Sequence, residues 1–255
     1  MRAVILAAGR GGRLAGVTGS HPKCLARLGA WTLLERQIHA LRDSGIRDIT
    51  VVTGYQAAAV RQVSGSSIDY VHNERYSSTN SLCSLWLVRS MLADGFIVLN
   101  CDVLFHQQLL VDLLTARYED ALLMAARNDD TPYSDEEMKV RVRAGRVVDI
   151  AKTIAPDDAD GENIGIAKFG AAGAAVLIEE MTRLLSEGES RAWLPAAFAA
   201  FCRRRPLCVV ESRGFPWIEI DFPEDYWRAC TDVLPAIDVA SSIATTAVPR
   251  RPLHV

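Results

Sequence analysis

The strongest constraint on the fold is the run Ala3–Ala8 in "MRAVILAAGRGGRL", six apolar residues that stop at a glycine cluster. A strand that is apolar at every position, rather than at alternate ones, is covered on both faces, as in the parallel sheets of α/β proteins. "DITVVTG" and "GFIVLNCD" repeat the pattern. Between them, "WTLLERQIHALRDSG" sets Leu33, Leu34, Ile38 and Leu41 on one helical face, with Thr32 placed to cap its start and Gly45 to end it. "SLCSLWLVRSML" reads as a further helix with Asn80 as its cap. Strands alternating with helices every 20 to 30 residues or so predict a three-layer, Rossmann-like α/β fold around a mostly parallel sheet. Ligands of such sheets sit at the carboxyl ends of the strands, which is where the glycine loop and Asp102 fall.

From about residue 131 the pattern changes. "KVRVRAGRVVDIAKTI" reads as a hairpin turning at Ala144-Gly145. An antiparallel insertion over about 131–170 is therefore expected within one domain spanning 1–235. The Ala-, Ser-, Thr- and Pro-rich segment 236–255 is expected to be a mobile tail.

Composition excludes several function classes. Lys+Arg 28 against Asp+Glu 31 gives a formal charge of −3, which does not suit a nucleic-acid binder, so any anion site must be local. The six cysteines are scattered without metal-ligand spacing and read as small buried hydrophobes in a reducing cytoplasm. No apolar run approaches the ~20 residues that span a bilayer, and no signal segment is evident. The expectation is a cytoplasmic protein without nucleic-acid or membrane partners, with homo-oligomerisation left open.

The glycine loop fits neither familiar phosphate-binding motif. GxGxxG would need glycine where Leu14 stands, and GxxxxGK[ST] is absent. A third pattern fits: Ala7-Ala8-Gly9, Gly11, Arg13-Leu14, Thr18, Pro22-Lys23 and Leu25 strongly resemble the signature of the nucleoside-triphosphate transferase family, "LAAGxGxRLxxxTxxxPKxL". The departure is Gly12, where the family usually carries Ser or Thr. The resemblance implies the nucleotide-diphospho-sugar transferase type of fold. It also implies a nucleotide held around Leu6, Ala7, Ala8, Gly9, Gly11 and Gly12, with Arg13 and Lys23 as catalytic cations. The chemistry agrees, since glycines let backbone N–H groups converge on phosphates, Arg clamps them bidentately and Lys supplies a point charge.

In that family a carboxylate at a strand end and another far downstream hold Mg²⁺. "LNCD" offers Asp102, and "WIEIDFPEDY" offers Asp221, with Glu219 two residues earlier on the same strand face. "HNERYSSTNSLCSLWLV" resembles the base-framing segment of the phosphocholine-cytidylyltransferase-like branch, carried by Asn80, Ser84 and Leu85. That implies CTP as the nucleotide. Lys139, Lys152, Glu162 and Glu219 are the candidate acceptor-binding residues. Lysines there suit the phosphate or phosphonate of a small alcohol or aminoalcohol. The expected activity is transfer of CMP from CTP to that acceptor with release of pyrophosphate. The alternatives are a sugar-1-phosphate or cyclitol-phosphate transferase using another nucleotide, and a non-catalytic regulatory subunit of the same fold.

Overall fold

The computed structural model describes residues 1–65, 67–127 and 133–246. In chain order the strands are β1 (Arg2–Ala7), β2 (Arg27–Leu28), β3 (Trp31–Thr32), β4 (Ile49–Thr53), β5 (Asp69–His72), β6 (Phe96–Asn100) and β7 (Val103–Phe105). Then follow β8 (Ala121–Ala126), β9 (Lys139–Arg143), β10 (Arg146–Ala151), β11 (Gly161–Phe169), β12 (Cys208–Glu211) and β13 (Trp217–Glu219). The helices are α1 (Ala15–Thr18), α2 (Leu33–Asp43), α3 (Ala57–Ser64), α4 (Ser81–Leu87), α5 (Gln107–Thr115), α6 (Ala171–Ser186), α7 (Leu194–Cys202), α8 (Pro223–Arg228) and α9 (Leu234–Thr246).

Nine strands form one sheet in the order β5-β4-β1-β6-β11-β8-β12-β10-β9. Its first four are parallel, with Ala3 opposite Ile49 on one side and Ile97 on the other. The remainder is mixed. β11 runs antiparallel to both β6 and β8, whereas β12 is parallel to β8. The β9–β10 hairpin turns at Ala144-Gly145, both at positive φ, and Gly161 of β11 pairs with Val140 of β9, which closes the far strands on themselves. β11 changes neighbours at a bulge containing Gly165, which has a φ of +84° and whose missing Cβ leaves room for the Asn100 side chain. A Cβ there would lie 2.8 Å from Asn100 Nδ2.

The unbroken apolar run of β1 has a direct physical reason. Val4, Leu6 and Ala8 pack into a core with Leu82, Leu85 and Phe169 on one face of the sheet. Ala3, Ile5 and Ala7 pack with Leu34, Ile38 and Leu109 on the other. Helix α2 starts from a full capping box, in which Thr32 Oγ1 accepts from the Glu35 backbone and Glu35 accepts from the Thr32 N–H. A third core seats Leu14 and Leu28 with Ile218, Ile220, Leu234 and Ile237. This last cluster corrects the reading of the C-terminal segment. α9 extends to Thr246, and Ile237 is buried, so the start of the expected mobile tail is a docked helix. Residues 247–255 lie outside the described residues.

Candidate active site

Four segments meet at the carboxyl ends of β1 and β6 around a cleft of about 310 Å³. The first is the loop after β1. Gly11 adopts a left-handed conformation with φ +63°, and the chain then turns through Gly12–Leu14, whose Leu14 is fully buried and anchors the loop. The hydrogen of Gly11 faces the start of the Lys23–Leu25 turn, because a Cβ there would meet Lys23 Cβ at 2.5 Å and Lys23 N at 3.2 Å. The two ends of the glycine–lysine pattern are thus stacked on each other.

The second and third segments are the turn between β6 and β7 and the strand β13. Gln37 of α2 donates from Nε2 to the carbonyls of Asn100 at 2.8 Å and Val103 at 2.9 Å, clamping the turn that presents Asp102. β13 pairs with β7, placing Glu219 opposite Val103, and Ile220 N donates to the Asp102 carbonyl at 2.9 Å. This ladder brings Asp102, Glu219 and Asp221 together, with one carboxylate oxygen of each within 4.8 Å of the others. The fourth segment is the start of α4. Asn80 caps it, accepting from Ser81 N at 2.8 Å, and Ser81 Oγ accepts from Leu194 N at 2.8 Å, which draws Trp193 to the rim.

Charges across the cleft are interlocked. Lys23 Nζ lies 2.8 Å from Asp102 Oδ2 and also contacts Asp221 Oδ1. Burial works to lower the Lys23 ammonium, but Asp102 and Asp221 outweigh it, so the group is held well above the usual lysine range. Burial pushes the Asp221 carboxyl up, and Lys23 and Arg13 more than reverse that, leaving it below the usual carboxylate range. Arg13 reaches Asp221 at 3.3 Å and Glu136 at 3.1 Å, with its guanidinium 4.7 Å from the centre of the Phe222 ring. Glu136 also pairs with Lys152 at 3.1 Å, and these two cations lower its carboxyl. Glu219 behaves oppositely: burial, then Asp102 and Asp221, raise its carboxyl well above normal.

A divalent cation fits this donor set. Asp102 Oδ1 is buried without a hydrogen-bond partner, a costly state for a carboxylate oxygen unless something else binds it. Three convergent carboxylates form the kind of all-oxygen site that a hard cation takes.

A family model described as a MobA-like NTP transferase domain matches residues 3–207. The chain belongs to this family. A choline-phosphate cytidylyltransferase of Streptococcus pneumoniae is 31% identical over 156 residues, covering 58% of this chain and 67% of that protein. A bifunctional IPC transferase and DIPP synthase of Rubrobacter xylanophilus is 30% identical over 88% of this chain, which spans only 50% of that protein's length. Among solved structures, the CTP:phosphocholine cytidylyltransferase of Streptococcus pneumoniae aligns with a TM-score of 0.73 and 26% identity, over 89% of this chain and 96% of that one. The MobA-like α/β fold with its mixed sheet is therefore shared with nucleotidyltransferases.

In this MobA-like domain most of the residues singled out from sequence line one cleft: Leu6, Ala8, Gly9, Gly11, Gly12, Arg13, Lys23, Asn80, Ser84, Asp102, Lys152, Glu219 and Asp221. Three do not. Ala7 faces the opposite core, because alternate β1 side chains point to opposite faces. Lys139 is 1% exposed and spends its ammonium on the Ser134 carbonyl at 2.7 Å. Glu162 stands beside it on the adjoining strand, and burial, reinforced by Glu137, pushes its carboxyl up to about 7. Lys139 and Glu162 thus support the β9–β11 pairing and lie off the cleft lining. Sequence reasoning also missed Gln37, Asn100, Glu136 and Asn163. Asn100 lies inside the quoted "LNCD" and Asn163 in "GENIG" at the start of β11, but neutral amides carry no charge pattern to mark them.

No helix among the described residues is long and apolar enough to cross a membrane.

Proposed function

We propose that this nucleotidyltransferase transfers CMP from CTP to the phosphate or phosphonate of a small alcohol, releasing pyrophosphate, with Mg²⁺ as its metal. The observation that carries the reading is the convergence of Lys23, Arg13, Asp102 and Asp221 on the glycine loop in one cleft. The name of the pneumococcal relative, a choline-phosphate cytidylyltransferase, and that of the solved CTP:phosphocholine cytidylyltransferase support CTP and a phosphate-bearing acceptor.

Gly9 and Gly12 have no neighbour within 4 Å of where a side chain would stand, so a triphosphate can approach the loop backbone and its N–H groups there. An oxygen of the acceptor phosphate attacks the α-phosphorus in line, the bond to the β-phosphate oxygen breaks, and pyrophosphate leaves. No side chain becomes a nucleophile. Arg13 and Lys23 stabilise the charge that builds on the phosphates, a contribution worth ~3–4 kcal/mol for a single preorganised donor. Asp102 and Asp221 would hold Mg²⁺, which when bound would supply positive charge against the phosphates. Asn80 and Ser84 sit at the α4 end of the cleft and frame the base.

Pyrophosphate release tests this reading with four nucleoside triphosphates and a panel of small phosphates and phosphonates. CTP with Mg²⁺ is expected to support turnover, EDTA to abolish it, and Asp102→Asn or Asp221→Asn to cripple it. Turnover indifferent to EDTA refutes the metal role, and preference for UTP, GTP or dTTP refutes the choice of base.

A further inference from the structure

The acceptor side of the cleft carries a feature that narrows the acceptor's chemistry. Trp193 is 49% exposed at the rim, and its ring face is covered by a cation of the chain itself: Lys152 Nζ lies 5.4 Å from the ring centre. Lys152 is fixed there by Glu136 at 3.1 Å. An aromatic face is the usual seat for a quaternary ammonium. Here that seat is filled. The other aromatic on the cleft lining, Tyr76, packs on Gly54 and against Tyr55, away from this lysine.

Carboxylates offer no second seat among the described residues. Glu136 already bridges Arg13 and Lys152. Asp102 and Asp221 share Lys23, and Glu219 completes the three-carboxylate set that suits a divalent cation. What the cleft has left over is neutral. Asn163 accepts the Gly165 N–H through Oδ1 at 3.2 Å, and its amide NH₂ makes no hydrogen bond among the described residues. Asn100 adds a second side-chain amide to the same lining. Such groups suit hydroxyls.

We propose that Lys152, seated on Trp193, is a specificity-determining residue that selects an acceptor with no positive charge on its alcohol portion: an uncharged, hydroxylated alcohol phosphate or phosphonate, of the polyol class. Cationic acceptors of the choline or ethanolamine type are disfavoured. This rests on the nucleotidyl-transfer reading of the site. The physical basis is simple repulsion: like charges ~5 Å apart in a partly desolvated cleft oppose each other by enough to cost roughly tenfold or more in affinity.

The test compares glycerol 3-phosphate and inositol 1-phosphate with phosphocholine and phosphoethanolamine, using CTP and Mg²⁺ and reading both pyrophosphate and the CDP-linked product. The wild type is expected to favour a polyol phosphate by tenfold or more in kcat/KM. Lys152→Met, which keeps length and removes charge, should shift the ratio toward phosphocholine by about tenfold, mainly through the acceptor KM. Lys152→Arg should retain the wild-type ratio. The same compounds are titrated calorimetrically onto protein loaded with Mg²⁺ and α,β-methylene-CTP, which reads selection without turnover. Selective polyol-phosphate binding without any pyrophosphate release sinks the transfer reading and leaves this inference standing. Tighter binding of phosphocholine by the wild type, a ratio unmoved in Lys152→Met, or no binding of either polyol phosphate overturns it.

Discussion

Replacing Gly11 by alanine separates loop geometry from loop charge, because it removes no ionisable group. Two costs follow from the structure. A side chain at φ +63° enters the left-handed region, at ~1–2 kcal/mol for a residue with a Cβ. The new methyl would also stand 2.5 Å from Lys23 Cβ and 3.3 Å from Lys23 Cα. These atoms are next to backbone and cannot swing aside, so the loop must part by roughly 1 Å, the gap to ordinary contact distance. That shift falls on the residue joining Asp102 to Asp221, and a misplacement of ~1 Å at a reacting centre costs ~10²-fold. Gly11→Ala is therefore expected to lower kcat/KM by about 10²-fold. Its melting temperature should fall by only about 2–8 °C, the range for ~1–2 kcal/mol in a chain of this size. Gly16→Ala is the matched control, since Gly16 has negative φ and nothing within 4 Å of its Cβ position. The assays are steady-state pyrophosphate release and thermal melting. A folded Gly11→Ala protein within about threefold of wild-type turnover refutes the coupling of Gly11 to Lys23.

Lys23→Met should lower turnover by on the order of 10²-fold. It should also cost ~3 kcal/mol of stability in denaturant melts, because the lysine is buried between two acids rather than solvated on a loop. CTP should exceed UTP by roughly a hundredfold in kcat/KM, and Asn80→Ala should erode that ratio beyond the ~1 kcal/mol stability loss of a missing cap. An intact ratio would leave the Asn80 side chain as the cap of α4, accepting from Ser81 N. Glu162 gives a pH signature. Its folded carboxyl is raised to about 7, so its stabilisation is complete below the unfolded value near 4.5 and is lost as pH rises through about 7. Glu162→Gln should raise the melting temperature at pH 8 more than at pH 5, as thermal melts at both values would show.

The legible part of this molecule was the part where one physical demand fixes residue type. A strand covered on both faces must be apolar throughout, and β1, β4 and β6 announced themselves in that way. A loop whose backbone presses on Lys23 must have glycine at 11, and carboxylates at strand ends must be Asp or Glu. The rest depended on pairings that sequence does not encode locally. β11 is one nine-residue strand, yet it pairs with β6, β8 and β9 along its length, and its antiparallel direction leaves no signature in those residues. Lys139 and Glu162 were read as cleft residues from their charge, whereas strand register turns them toward each other. Lys152, one residue past the end of β10, does reach the cleft. Gln37 escaped notice because a buried amide on a helix earns attention only when the carbonyls it serves are known.

The pairing of β7 with β13 has a temporal consequence. Lys23 and Asp221 are 198 positions apart, and Asp102 is held to that partner strand through the Ile220 N–H. At synthesis rates of 5–20 residues per second, roughly ten to forty seconds separate the emergence of Lys23 from that of Asp221. During that interval the nascent chain can complete β1, α2, β4 and β6, but it lacks one wall of the cleft. A ribosome-bound chain therefore exposes a half-built cleft, and its three carboxylates meet only when the short strand carrying Glu219 zips against Val103.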